Sequence, residues 1–295
     1  MIAFATSLRA RALAGANWDH HVWLLERVVR SMLAQTAGDV RVVVACHDVP
    51  ETSLAADPRV QFLPLSVKVP ARDNDHMVAD KVLKLSAAAR AAQSRGCDFV
   101  AFNDADDLVS NRIGGFVAAR RGANGWYTAS QLFYTYGGLL MRRQRIASPA
   151  SGPCVIVRTD LLTFDRPPFT AEWARIIAAG GEQRYLQLLE RHDVEVCALA
   201  AVGIGHYRSF MADRGHPLAP LPFAGNVVIN HSDSTSTTGG TNGYQPLSRL
   251  ASLKRSARWL PTLRYPSAAM RAEFSIPNDA DIPGAYRGGA SIFWR

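Results

Sequence analysis

The chain has 295 residues, 48% hydrophobic and 20% charged, which excludes disorder and is long enough to bury a sizeable core in one large domain or two small ones. Its net charge of +8 favours anionic partners such as nucleotides, phosphorylated lipids or an anionic membrane face. No apolar run reaches bilayer length, and the opening Met1-Ile2-Ala3-Phe4-Ala5-Thr6 lacks the basic and long apolar regions of a signal peptide, so a cytoplasmic location is expected.

Ile2 to Thr6 is a short apolar strand, followed by a polar turn from Ser7 to Asn17. Asp19 can cap a helix whose apolar positions Val22, Leu25, Val28, Val29, Met32 and Leu33 recur at three- and four-residue spacing. Arg41 to Cys46 is a continuous apolar strand of the kind buried on both faces of a parallel sheet, and His47 and Asp48 follow at its carboxyl end, where such sheets bind ligands. Val60 to Leu65 is a third strand, Val67 to Asp80 is polar and irregular, and a second helix runs from Asp80 to Gly96. Strand, helix and strand in this order predict right-handed crossover units and an α/β domain.

Phe99 to Asn103 is then a buried strand that delivers Asp104, Asp106 and Asp107 at its carboxyl end. An Asp-x-Asp pair on extended chain points two side chains the same way, and two such oxygens suit Mg²⁺ or Mn²⁺ with substrate phosphates in the other positions. The same acids are also ordinary turn and cap residues, with Asp107 able to cap a helix through Leu108 and Ile113.

Beyond the acids the pattern changes. Trp126 to Leu140 predicts one or two antiparallel strands, Arg142, Arg143 and Arg145 a basic loop, and Thr159 the start of a helix. Glu182 opens another helix, and Val194 to Ile204 is a strand ending near His206. Ser232 to Tyr244 has the composition of a mobile loop, and a basic helix from about Ser248 to Trp259 has an apolar stripe suited to anionic lipid. The cysteines Cys46, Cys97, Cys154 and Cys197 are widely spread, signal neither a zinc site nor a disulfide framework, and are expected buried and reduced.

The order of these pieces resembles the GT-A fold glycosyltransferases, particularly the inverting family 2 type, over roughly residues 2 to 210. The pieces are the opening strand, the helix ending Ser31-Met32-Leu33-Ala34-Gln35-Thr36, the strand Val42-Val43-Val44 leading to Asp48, and Phe102-Asn103-Asp104-Ala105-Asp106-Asp107, followed by Gly152 to Arg158 and Glu182 to Arg208. The resemblance implies a mixed sheet flanked by helices, with a C-terminal helical and loop extension. It implies that Asp104 and Asp106 hold the Mn²⁺ or Mg²⁺ that bridges the phosphates of a nucleotide-sugar, with His206 as a third metal ligand and His231 as its rival. Asp48 would hold the base or ribose, Ser7 would line the same pocket, and Lys81 would meet the diphosphate, whereas Lys84 is expected on the helix surface. Family members carry an acidic pair at the start of a late helix. Here that place reads Gly181-Glu182-Gln183, so Glu182 alone is the candidate base, with Glu172, Asp193 or Asp213 as substitutes.

The expected organisation is a GT-A-like domain over 1–230, its nucleotide-sugar half about 1–110 and its acceptor half about 111–230, followed by a loop and basic extension over 231–295. The expected function is transfer of a hexosyl group to a glycan or glycolipid acceptor in surface polysaccharide or glycolipid synthesis, peripheral to an anionic membrane. Two alternatives stand beside it: a nucleotidyltransferase, and a non-catalytic nucleotide-sugar-binding protein of the same fold. Nucleic acid is not an expected partner, because the basic residues are not interleaved with aromatics in a recognition motif.

Overall fold

A computed structural model of the chain describes residues 1–145, 154–166, 188–189, 192, 194–202, 206–229 and 260–286. The first half is β1 (Ile2–Ser7), α1 (Arg11–Ala14), α2 (Trp18–Leu33), β2 (Val40–Cys46), β3 (Val60–Pro64), α3 (Asn74–Ser94), β4 (Phe99–Phe102), β5 (Asp107–Val109) and α4 (Ile113–Ala118). Then come β6 (Gly125–Tyr127), β7 (Ser130–Tyr134), β8 (Met141–Arg145), β9 (Val155–Arg158), β10 (Phe164–Asp165) and β11 (Val196–Cys197). The remaining described elements are α5 (Ala198–Ala201), α6 (Tyr207–Asp213), β12 (Ala219–Pro220), β13 (Asn226–Ile229), β14 (Leu263–Arg264) and α7 (Ala268–Phe274).

The molecule is a mixed α/β protein. Its main sheet has the order β12-β6-β9-β4-β1-β2-β3, in which β3, β2, β1 and β4 are parallel and β9 runs antiparallel between β4 and β6. Because β2 and β3 lie on one side of β1 and β4 on the other, the chain reverses its direction across the sheet between β1 and β4, and sheets of this order bind ligands outside the carboxyl ends at that point.

Alternation along β1 sorts the two faces. Ile2 and Phe4 join the buried cluster that contains Leu25, Val28 and Met32 of α2, while Ala3 and Ala5 face α3. The α3 face is built from small residues on both sides, with Ala79, Ala88, Ala89 and Ala92 of the helix also fully buried, so the helix backbone can approach the sheet closely. The helix begins six residues before the expected Asp80, because the Asp73 side chain accepts a 3.0 Å hydrogen bond from the His76 N–H and starts it early.

Asp107 does not cap a helix. It opens β5, which leads into a second sheet of order β14-β8-β7-β13-β5, so the acidic turn is the junction between the two sheets. Helix α2 is tied to this junction: Ser31 Oγ accepts from the Val109 N–H at 3.1 Å, while Gln35 donates to the Ser110 carbonyl and accepts from the Gly114 N–H at 2.7 Å. Ser31, in the last turn of α2, and Gln35, two residues past its end, thus lock helix, acids and second sheet together.

Three further expectations change, and one is the basic loop expected at Arg142, Arg143 and Arg145, which is strand β8 paired with β7. The helix predicted from Thr159 is a single 3-10 turn, Thr159–Leu161, and the strand predicted over Val194 to Ile204 is, within its described residues 194–202, the two-residue β11 followed at once by α5. Apolar content without alternation or helical spacing does not distinguish the two states in so short a run. Residues 260–286 return to the main body, where β14 pairs with β8 and Phe274, Ile276 and Ile282 are buried in the same cluster as Phe4. The expected mobile loop and basic helix, and the helix at Glu182, lie outside the described residues. All four cysteines are buried free thiols. Burial pushes Cys46 up to about 11 and Cys154 up to about 12.

Candidate functional site

The site is built where β1, β2 and β4 end. Strand β4 stops at Phe102, and the acids sit on a turn rather than on extended chain. The amide of Asn103 closes that turn by donating at 2.8 Å to the carbonyls of both Asp104 and Asp107. Asp104 and Asp106 therefore owe their placement to a clamped turn and not to the two-residue period of a strand.

Charge is concentrated here. Asp107 is 4% exposed, and burial, with the charges of Asp106 and Asp104 added to it, pushes its carboxyl well above the ordinary range; Lys81 and the Ile229 N–H offset this only in part. Lys81 Nζ forms an ion pair with Asp104. Burial opposes the Lys81 charge, but Asp104, with Asp106 and Asp107 behind it, holds the ammonium above its usual range.

Residues the sequence did not single out complete the site. Arg9, two positions past the end of β1, is half-buried and its guanidinium contacts Met77 Sδ at 3.7 Å; burial and the Arg72 charge work against its own charge, and the Asp106 charge favours it. The signal for Arg9 was its position: a basic residue just beyond the carboxyl end of an inner parallel strand. Lys84, expected in solvent, is instead 1% exposed. The helical spacing of Asp80, Lys81 and Lys84 puts all three on the side of α3 that meets the strand ends, so its surroundings bury it.

Ser7 ends β1 in register with Ala45, beside the site. Asp48 follows β2 and accepts at 2.8 Å from the Arg11 N–H, an engagement that anchors the loop after β1. His206 precedes α6, not a strand end, and its carbonyl accepts from Ser209 Oγ. Asp213 is exposed at the end of that helix. Glu182, Glu172, Asp193 and His231 lie outside the described residues.

Among the described residues no three His, Cys, Asp or Glu side chains are grouped to hold a metal. Asp104 and Asp106 nevertheless fit a hard divalent cation that takes its remaining ligands from water and phosphate, since their oxygens are of the right kind and the crowding that raises Asp107 is one that a cation relieves. Arg9 and Lys81 beside them present positive charge to an anion. The arrangement is thus suited to a phosphate-bearing ligand.

Neither protein-family models nor curated proteins match this chain. Among solved structures it is similar to a protein of Desulfovibrio desulfuricans G20 described as a nucleotide-diphospho-sugar transferase, 11% identical, with 88% of this chain and 96% of that one covered and a TM-score of 0.33. It is also similar to an active-site mutant of LgtC, 13% identical, with 92% and 99% covered and a TM-score of 0.32. Likenesses this low carry no weight for the chemistry.

Proposed function

We propose that this chain is a GT-A-like glycosyltransferase that moves a sugar from a nucleotide-sugar to an acceptor hydroxyl. The observation that supports it is the convergence of Asp104 and Asp106 with Arg9 and Lys81 at the carboxyl ends of β4 and β1, on either side of the switch point of a parallel sheet. Arg9 and Lys81 hold the diphosphate as fixed positive charges, and Ser7 and the Asp48 loop form the nucleoside side of the site. Asp104 and Asp106 would hold Mn²⁺ or Mg²⁺, which would stabilise charge on the departing diphosphate; His206, expected as a third ligand, is not grouped with them.

In this reading the acceptor oxygen attacks the anomeric carbon as its bond to the diphosphate breaks. The nucleoside diphosphate leaves with the bonding electrons, the acceptor proton passes to Glu182, and the configuration at the anomeric carbon inverts. The net charge of +8 suits a glycolipid or polysaccharide acceptor at an anionic membrane face, as does the basic segment before residue 260. No helix among the described residues is long and apolar enough to cross a membrane.

Calorimetric titration with UDP, GDP and dTDP, with Mn²⁺ and then with chelator, tests the proposal. One nucleotide is expected to bind in the presence of metal, with roughly a tenfold or greater loss in Asp104→Ala and in Asp106→Ala. Absence of binding to all three, or full binding by both variants, overturns it. Release of pyrophosphate instead of nucleoside diphosphate during turnover would identify a nucleotidyltransferase.

A further inference from the structure

Beside the site, three ionisable side chains form a connected buried chain. Lys84 Nζ donates at 2.8 Å to the Leu8 carbonyl and at 2.6 Å to Asp80 Oδ2, and Asp80 Oδ1 accepts from His47 Nε2 at 2.7 Å. The side chains of Lys84, His47 and Asp80 are 1%, 5% and 12% exposed. The network joins the ends of two strands through one turn of a helix: Leu8 follows β1, His47 follows β2, and Asp80 and Lys84 are four apart on α3. Lys81, between them, reaches Asp104 after β4. A single helical turn therefore touches the carboxyl end of all three inner strands.

Replacing a buried ion pair by apolar groups of similar volume is often neutral or stabilising, so stability alone does not account for this network. Its hydrogen bond to the rest of the described residues goes to the carbonyl of Leu8, the residue before Arg9. That loop has three further ties, the Leu8 N–H to the Ala45 carbonyl at 2.9 Å, the Arg9 guanidinium to Met77 Sδ at 3.7 Å and the Arg11 N–H to Asp48 at 2.8 Å. None of these ties down the Leu8 carbonyl.

We propose that Lys84, Asp80 and His47 form a positioning unit that holds the loop 8–11, and through it Arg9, in place at the site. The loop-holding role stands on the hydrogen bonds alone, and only its consequence, an ordered phosphate subsite, rests on the function proposed above. None of the three touches substrate. Lys84 acts through Leu8, and His47 acts through Asp80.

The test compares the native chain with the double variant Lys84→Met/Asp80→Leu, which replaces the ion pair by apolar groups of similar size, and with Leu85→Ala, which opens a core cavity on the same helix outside the network. Amide exchange of the Leu8 and Arg11 N–H groups in the free protein is read by mass spectrometry beside the melting temperature and nucleotide affinity. The double variant is expected to melt within about 5 °C of the native chain, to exchange at these amides roughly tenfold faster, and to bind the nucleotide diphosphate roughly tenfold more weakly. Leu85→Ala is expected to melt lower with both other readouts unchanged. Native exchange rates in the double variant overturn the proposal, as does an equal rise in Leu85→Ala. Faster exchange in the double variant while no nucleotide binds even the native chain leaves the positioning unit standing and removes the nucleotide reading. If the double variant does not fold, Asp80→Asn, which keeps the shape and removes the charge, carries the same comparison of exchange.

Discussion

Asn103 decides the geometry of the acids with one side chain. Its amide satisfies two carbonyls that would otherwise face each other across the turn, so Asn103→Ala is expected to cost about 1–3 kcal/mol, measured by denaturant unfolding, and to weaken nucleotide binding as the turn opens. Asp107 and Asp80 respond to pH in opposite directions. Burial, then Asp106 and Asp104, raises the Asp107 carboxyl above its ordinary 3.8, so the folded state favours its protonated form; that contribution is complete below 3.8 and is lost as pH rises through the raised value. Asp107→Asn is therefore expected to gain in melting temperature relative to the native chain as pH increases. For Asp80, burial opposes the charge, but the His47 and Lys84 bonds outweigh it and hold the carboxyl below 3.8. Its contribution is complete above 3.8 and is lost as pH falls through the lowered value, so the stability difference between native and Asp80→Asn should shrink in acid melts.

At the scale of elements, α2 and α3 have different duties. Helix α2 fixes the segment after the acids through Ser31 and Gln35, while α3 fixes the strand ends before them through Asp80, Lys81 and Lys84. Strand β6 reaches its place beside β9 only because Gly125, at φ 148°, brings its backbone against Ile156; a Cβ there would be driven into the Ile156 carbonyl oxygen. Gly125→Ala is expected to destabilise by about 1–3 kcal/mol or more, seen as a lower denaturant midpoint with an unchanged slope.

At the scale of the molecule, the two ends of the described chain share one core. Phe274 packs in the cluster that holds Phe4, and α7 is tied to the post-acid segment by Glu273, whose carboxylate accepts from Ser110 Oγ at 2.7 Å and whose carbonyl accepts from the Asn111 N–H at 2.9 Å. Phe274→Ala is expected to cost about 3–5 kcal/mol and to lower the main thermal transition rather than release a separate early one.

What the sequence determined alone was what short-range spacing encodes. The strands at Ile2 and Val42, the apolar stripe of α2, and the acids arriving at the end of β4 were legible because side-chain period and strand polarity are local properties. The α3 start was missed because its cap, Asp73, stood in a stretch whose composition reads as loop. Lys84 was misplaced for a related reason: an isolated lysine on a helix carries no mark of burial, and its partner Leu8 is 76 residues away. Only the tertiary structure could insert β9 antiparallel between β4 and β6, bring Arg9 within reach of the Asp106 charge, and return residues 260–286 to the core. Those outcomes depend on pairings between distant segments, where register and burial are set by the packed whole and not by any one stretch.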